Sequence, residues 1–113
     1  MPSRALDRIR VSKTVRIFLE QRRPPEPVRE KLDYGFLFYR HTVELLDIRP
    51  KWRKPGKKKF AFAKAVFVKA RGAWKVYWRR ASLKWRLYEP PTARSLSAFL
   101  KLVNEDKQGC FFG

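Results

Sequence analysis

His41 is the only histidine of this chain and Cys110 its only cysteine. Two such side chains cannot furnish the four ligands of a structural zinc site. A nucleophilic triad would have to use His41 as its base. That residue falls at Arg40-His41, which reads as a turn between two strands. Cys110 stands between Gly109 and Phe111 with no histidine near it in sequence, which fits a buried, inert thiol. Among the carboxylates, Glu44 and Asp47 lie three apart in a predicted strand, so they point to opposite faces. Without a bulge they cannot act as a general acid and base on one substrate. Asp33, Glu44 or Asp47 together with Lys64 would be the raw material of a metal-dependent nuclease, and this stands third, behind two binding readings. The five glycines are scattered and make no phosphate loop. The expectation is a protein with no catalytic residues, no metal and no cofactor.

The chemistry that remains is cationic and aromatic. Lys and Arg number 28 against 10 Asp and Glu, a net charge of +18 in 113 residues. Such an excess favours polyanionic partners: nucleic acid, acidic proteins or anionic membrane surfaces. Two stretches concentrate it. In residues 73–88, strand alternation places Trp74, Val76, Trp78, Trp85 and Leu87 on one face. Lys75, Tyr77, Arg79, Lys84, Arg86 and Tyr88 then fall on the other. Cations neutralise phosphates, and tyrosine rings can stack on exposed bases. In residues 51–59 six of nine side chains are basic, and Pro55-Gly56 marks a turn. Lys54, Lys57, Lys58 and Lys59 of this loop are candidates to clamp a phosphate backbone, with Trp52 stacking. The plain alternative is a solvated basic face over core tryptophans and a charged loop with no ligand. The sequence holds no sheet-borne RNA-recognition consensus.

These residues need elements to position them. Residues 5–22 contain no Gly or Pro and end before Pro24-Pro25, which predicts a helix. Ala5, Ile9, Val15, Phe18 and Leu19 share its broad apolar face, while Leu6 and Ile17 fall on the other side. Arg8, Arg10, Lys13, Arg16, Arg22 and Arg23 make it strongly basic. Residues 28–32 suit one helical turn. Strands are expected at 34–39, 42–49, 60–70 and, as a hairpin turning near Ala81-Ser82, at 73–88. Phe60, Phe62, Val66 and Val68 would face the core, with Lys64 an exception on that face and Phe67 outward. Pro90-Pro91 is expected to end the hairpin. A helix over 95–105 follows, with Leu96, Phe99, Leu100 and Val103 as its stripe, Thr92 or Ser95 as its cap and Gly109 at its C-terminal break. The fold class is α+β: an N-terminal helix, an antiparallel meander of about five strands and a C-terminal helix, with the helices covering one sheet face. One domain spans the 113 residues. No signal peptide and no apolar run of about 20 residues is visible, so a cytoplasmic protein without a membrane span is expected, monomeric or homodimeric.

Several pieces together resemble the family of small bacterial proteins known as domain of unknown function 3024. They are Arg22-Arg23-Pro24-Pro25, the stretch 43–52, the run from Trp74 to Trp78, Leu83-Lys84-Trp85 with Tyr88-Glu89-Pro90, and the closing Gly109-Cys110-Phe111-Phe112-Gly113. The resemblance implies a stand-alone, single-domain bacterial protein and assigns no site residues. The leading functional expectation is therefore non-catalytic nucleic-acid binding, DNA or RNA, through the basic sheet face and the Lys-rich loop. The alternative is a protein-interaction module that binds an acidic partner or dimerises through the Leu6 and Ile17 side of the first helix.

Overall fold

The computed structural model describes residues 6–80 and 83–112. Ala5, and the expected hairpin turn at Ala81 and Ser82, lie outside them. Helix α1 (Arg8–Arg22) opens at Asp7, whose carboxylate accepts the Arg10 N–H at 3.1 Å. A single short turn, α2 (Glu26–Arg29), follows the prolines. Five strands come next: β1 (Asp33–Tyr39), β2 (Thr42–Pro50), β3 (Lys57–Val68), β4 (Ala73–Trp78) and β5 (Arg86–Ala93). Helix α3 (Leu96–Glu105) closes the order. The strands form one antiparallel sheet in sequence order, β1-β2-β3-β4-β5, as expected for a meander. No helix among the described residues is long and apolar enough to cross a membrane.

Both helices pack on one sheet face. Val11 and Val15 of α1 and Phe99, Leu100 and Val103 of α3 share a core with Val43, Leu45, Ala63, Ala65, Phe67, Trp74 and Val76. The small alanines of β3 let the helices approach where larger residues of β2 and β4 flank them. On α1 the buried positions are Val11 and Val15, while Ile9, expected inward, is 80 % exposed. Leu6, expected on the far side, packs against the core. The helix axis is thus rotated from the face that apolar spacing suggested, because Val11 and not Ile9 is in phase with Val15 and Phe18.

The sheet holds two register shifts. The first shifts the β2–β3 register between Leu45 and Leu46, where Leu45 pairs Ala63 but Leu46 pairs Ala61. The extra residue, Phe62, stays in the core. Alternation then places Phe67 inside, at 8 % exposure, and turns Val66 and Val68 outward. This reverses the expectation for all three, and Lys64 ceases to be an exception: it simply belongs to the open face. The second bulge lies between β4 and β5, where Lys75 pairs Thr92 but Tyr77 pairs Leu87. The strand therefore runs on through Pro90 and Pro91 to Ala93. Proline is tolerated there because β5 is an edge strand that need not donate on its outer side.

The C-terminus is pinned by one side chain. Ser95 caps α3 by accepting the Ala98 N–H at 3.0 Å. The helix ends not at Gly109 but at Asp106, which takes a left-handed conformation (φ 45°). The Asp106 carboxylate then accepts the N–H groups of Phe111 and Phe112 at 2.9 and 2.8 Å. Phe111 packs on Tyr88 with ring centroids 5.0 Å apart, and Phe112 lies between Phe62 and the Arg22 guanidinium.

The face away from the helices is open. One row across it reads Leu37, Glu44, Lys64, Tyr77 and Leu87, one residue from each strand. The Tyr39 hydroxyl donates to the Glu44 carboxylate. That hydrogen bond, with some burial and the negative charge of Glu44, pushes the phenol up to about 12.

Replacing Phe99, which is fully buried, by alanine is expected to cost about 3–5 kcal/mol, read as a lower denaturation midpoint at unchanged slope. A loss below 1 kcal/mol would contradict the packing described. Tyr39 contributes stability only while protonated, because its folded pKa lies above the ordinary value of 10.0. The contribution is present below pH 10 and fades as pH rises through about 12. Glu44→Gln should bring the Tyr39 ring transition back toward its ordinary value, followed by NMR of labelled tyrosine.

Candidate nucleic-acid interface

Strand β3 has twelve residues and β4 only six. The β3–β4 ladder stops at Ala63 paired with Trp78. On the other side, β1 reaches no further along β2 than Ile48, opposite Asp33. The outer ends of β2 and β3 therefore pair only with each other, as Arg49 with Lys58 and Pro50 with Lys57. They form a two-stranded arm over residues 49–59. The Lys51 N–H donates to the Gly56 carbonyl at 3.1 Å and closes its tip. Gly56 has φ +99°, which suits glycine and strains other residues. Lys57, Lys58 and Lys59, expected in a loop, are strand residues with fixed directions. Lys54 stays in the turn.

The arm holds seven cations (Arg49, Lys51, Arg53, Lys54, Lys57, Lys58 and Lys59) and no carboxylate. Asp47, at its base, lies 3.8 Å from the Arg49 guanidinium. Burial pushes the Asp47 carboxyl up, against the pull of Arg49. Trp52 at the tip is 81 % exposed. Its ring contacts Arg53, with the guanidinium 5.1 Å from the centroid. Trp52, Arg49, Lys54, Lys58 and Phe60 border an open cleft of about 870 Å³ on one side of the arm. Lys57, Lys58 and Lys59 have no carboxylate within salt-bridge distance among the described residues. Arg49, Lys51 and Arg53 were not among the sequence candidates, and the signal that could have found them is their adjacency to the Lys run.

The sheet-face candidates are dispersed. Tyr88, expected to stack on bases, is 3 % exposed and belongs to the core, because the hairpin register sets Leu87 opposite Tyr77 on the open face and so turns Tyr88 to the helix side. Leu87, expected inward, is 50 % exposed beside Tyr77. Arg86 sits opposite Trp78, on the helix side of the sheet edge, and not with Lys75. Lys84 is exposed but outside any strand. Trp85, expected in the core, is half-buried under two cations: the Lys64 ammonium at 4.3 Å and the Arg79 guanidinium at 4.6 Å from its ring centroid. Lys64 also covers Tyr77, at 5.0 Å. Burial lowers the pKa of the Lys64 ammonium, Glu44 opposes that shift, and the positive charge of Arg79 adds to it. Arg79 donates its Nε to the Ala61 carbonyl at 3.0 Å and packs over Phe60. Of the expected basic face, Lys75 and Tyr77 remain on the open side, half-buried. Rings and cations here satisfy each other, which leaves little to offer a base or a phosphate.

The carboxylates do not assemble. Glu44 faces the open side and Asp47 the opposite one, as their spacing requires. Asp33 is bound by Arg23 through two hydrogen bonds of 3.1 and 3.0 Å. Burial pushes its carboxyl up, but that pair and the Tyr34 N–H outweigh burial and hold it below its ordinary value. Among the described residues no group of three His, Cys, Asp or Glu side chains could hold a metal ion. His41 is exposed in the β1–β2 turn. The Cys110 thiol is half-buried, and burial pushes its pKa up, away from nucleophilic use. On the outer face of α1, Ile9 and Ile17 are exposed, but Leu6 is not their companion.

No curated protein and no solved structure matches the chain. The family model described as Domain of unknown function (DUF3024) matches residues 3–113. The chain belongs to the DUF3024 family.

Proposed function

We propose that this protein binds nucleic acid, without catalysis, and that the β2–β3 arm is the principal contact. The observation that carries this is the concentration of seven cations, with no carboxylate among them, in eleven residues that pair with neither β1 nor β4. Phosphate contacts by Lys and Arg release counterions and supply most of the affinity of such binders. Lys54, Lys57, Lys58 and Lys59 carry the arm's lysine charge, joined by Arg49, Lys51 and Arg53. Lys75 on the open face and the exposed Lys84 and Arg86 extend the positive field but stand apart from the arm. Arg79 and Tyr77 support the sheet and not the ligand, since their partners are already in place.

The variant Lys54→Gln/Lys57→Gln/Lys58→Gln/Lys59→Gln is expected to weaken binding to a mixed-sequence duplex. It should lower the log–log salt slope by about 3–4. Lys75→Gln/Lys84→Gln should change the slope less. Fluorescence anisotropy across a salt series measures both, with a thermal melt to show that the variant is folded. An unchanged slope in the arm variant would sink the reading. So would an acidic polypeptide of equal charge that binds more tightly than the duplex, since that is the behaviour of a module for acidic proteins.

A further inference from the structure

We infer that the arm enters a groove of double-stranded DNA and sets Trp52 against a base step that has lost its stacking, as at a bulge. This rests on the nucleic-acid reading above and narrows it to one class of ligand.

The charge distribution favours a duplex over a single strand. Lys58 pairs Arg49, and Lys57 and Lys59 flank it in the same strand. Alternation therefore puts Lys57 and Lys59 on one face of the ribbon and Lys58 with Arg49 on the other. A groove has phosphates along both walls, which a ribbon charged on both faces can meet together. A single strand offers one line of phosphates and would leave one face unused. The major groove of B-form DNA, about 12 Å wide, admits a two-stranded ribbon, and ribbons that reach the minor groove open it by inserting an apolar side chain at a base step.

Trp52 then has a defined place. Trp74 is 1 % exposed, and Trp78 and Trp85 are half-buried, so Trp52 at 81 % stands apart from every other tryptophan. It is held on a closed turn, by the hydrogen bond from Lys51 to Gly56. Next to it Arg53 adopts a left-handed conformation (φ 53°), uncommon for a residue with a side chain. With its backbone so held, the turn loses little freedom when the ring engages a base. Stacking on a base buries that ring, and rings inserted between base steps cost least where stacking is already broken.

The test uses three labelled DNA probes of one sequence: an intact duplex, that duplex with a single-base bulge, and the single strand. The full-length protein is expected to bind the bulged duplex roughly 10-fold tighter than the intact one and to bind the single strand most weakly. Trp52→Ala should erase the preference for the bulge while nearly preserving affinity for the intact duplex, and Trp52→Phe should keep part of it. Trp52 touches no core residue, so a thermal melt close to that of the parent is expected. A bulge preference unchanged in Trp52→Ala, or a single strand bound as tightly as the duplexes, overturns the inference while the broader nucleic-acid reading stands. Absence of binding to all three probes overturns both.

Discussion

The structure turns on a difference in strand length. β3 is paired on both sides through only part of its twelve residues. Beyond Ala63 its β4 side is a free edge, and a free edge is a template for unwanted pairing. The protein covers the first part of that edge from β4's own continuation. The Arg79 N–H donates to the Phe62 carbonyl at 3.1 Å, and its Nε takes the carbonyl of Ala61. Further out, lysines alone guard it. Guarding an edge requires a charge or two, whereas this ribbon carries cations on both faces and ends in an exposed tryptophan, which protection alone would exclude. The same mismatch that creates the liability therefore creates the arm.

Element order was legible because its signals are local. Proline pairs at 24–25, apolar stripes in α3 and turn residues between strands need no knowledge of partners. Strand phase was not legible, because it depends on register, and both register shifts arise between strands. A single extra residue at Phe62 is invisible in an alternating pattern that contains alanines on either side. It nevertheless reverses Phe67, Val66 and Val68 together, since the period is two. Lys64 was the visible symptom: a charge that refused the assigned face. On β5 the double proline read as a stop, but an edge position removes the penalty that would have made it one. The register of the β4–β5 hairpin, with Leu87 opposite Tyr77, is what buries Tyr88 and exposes Leu87.

Those reversals also redistribute the charge. A net +18 says how much cation there is and not how much is free. On the sheet, Lys64 and Arg79 are consumed by Trp85, Tyr77, Phe60 and a backbone carbonyl. Arg22 and Arg23 serve the fold too, through Asn104, Phe112 and Asp33. Cation–π contacts of this kind, at about 0.5–2 kcal/mol each, favour a fixed local geometry over an open binding face. In the arm seven further cations are held in position mainly by secondary structure and not by side-chain pairing.

The arm is built against its own electrostatics. Arg49 and Lys58 are direct partners in an antiparallel ladder, an arrangement in which like charges destabilise. Among the described residues only Asp47 lies close enough to Arg49 to offset this, at 3.8 Å. A sequence selected for stability alone would place a threonine or a glutamate opposite one of them. Screening by salt relieves the repulsion only in part at separations shorter than the Debye length of about 8 Å. A polyanion laid along the arm relieves it directly, and anything that binds the folded ribbon in this way stabilises it by mass action. The unfavourable pairing in the free protein and the proposed affinity for phosphate are therefore two sides of one free-energy difference.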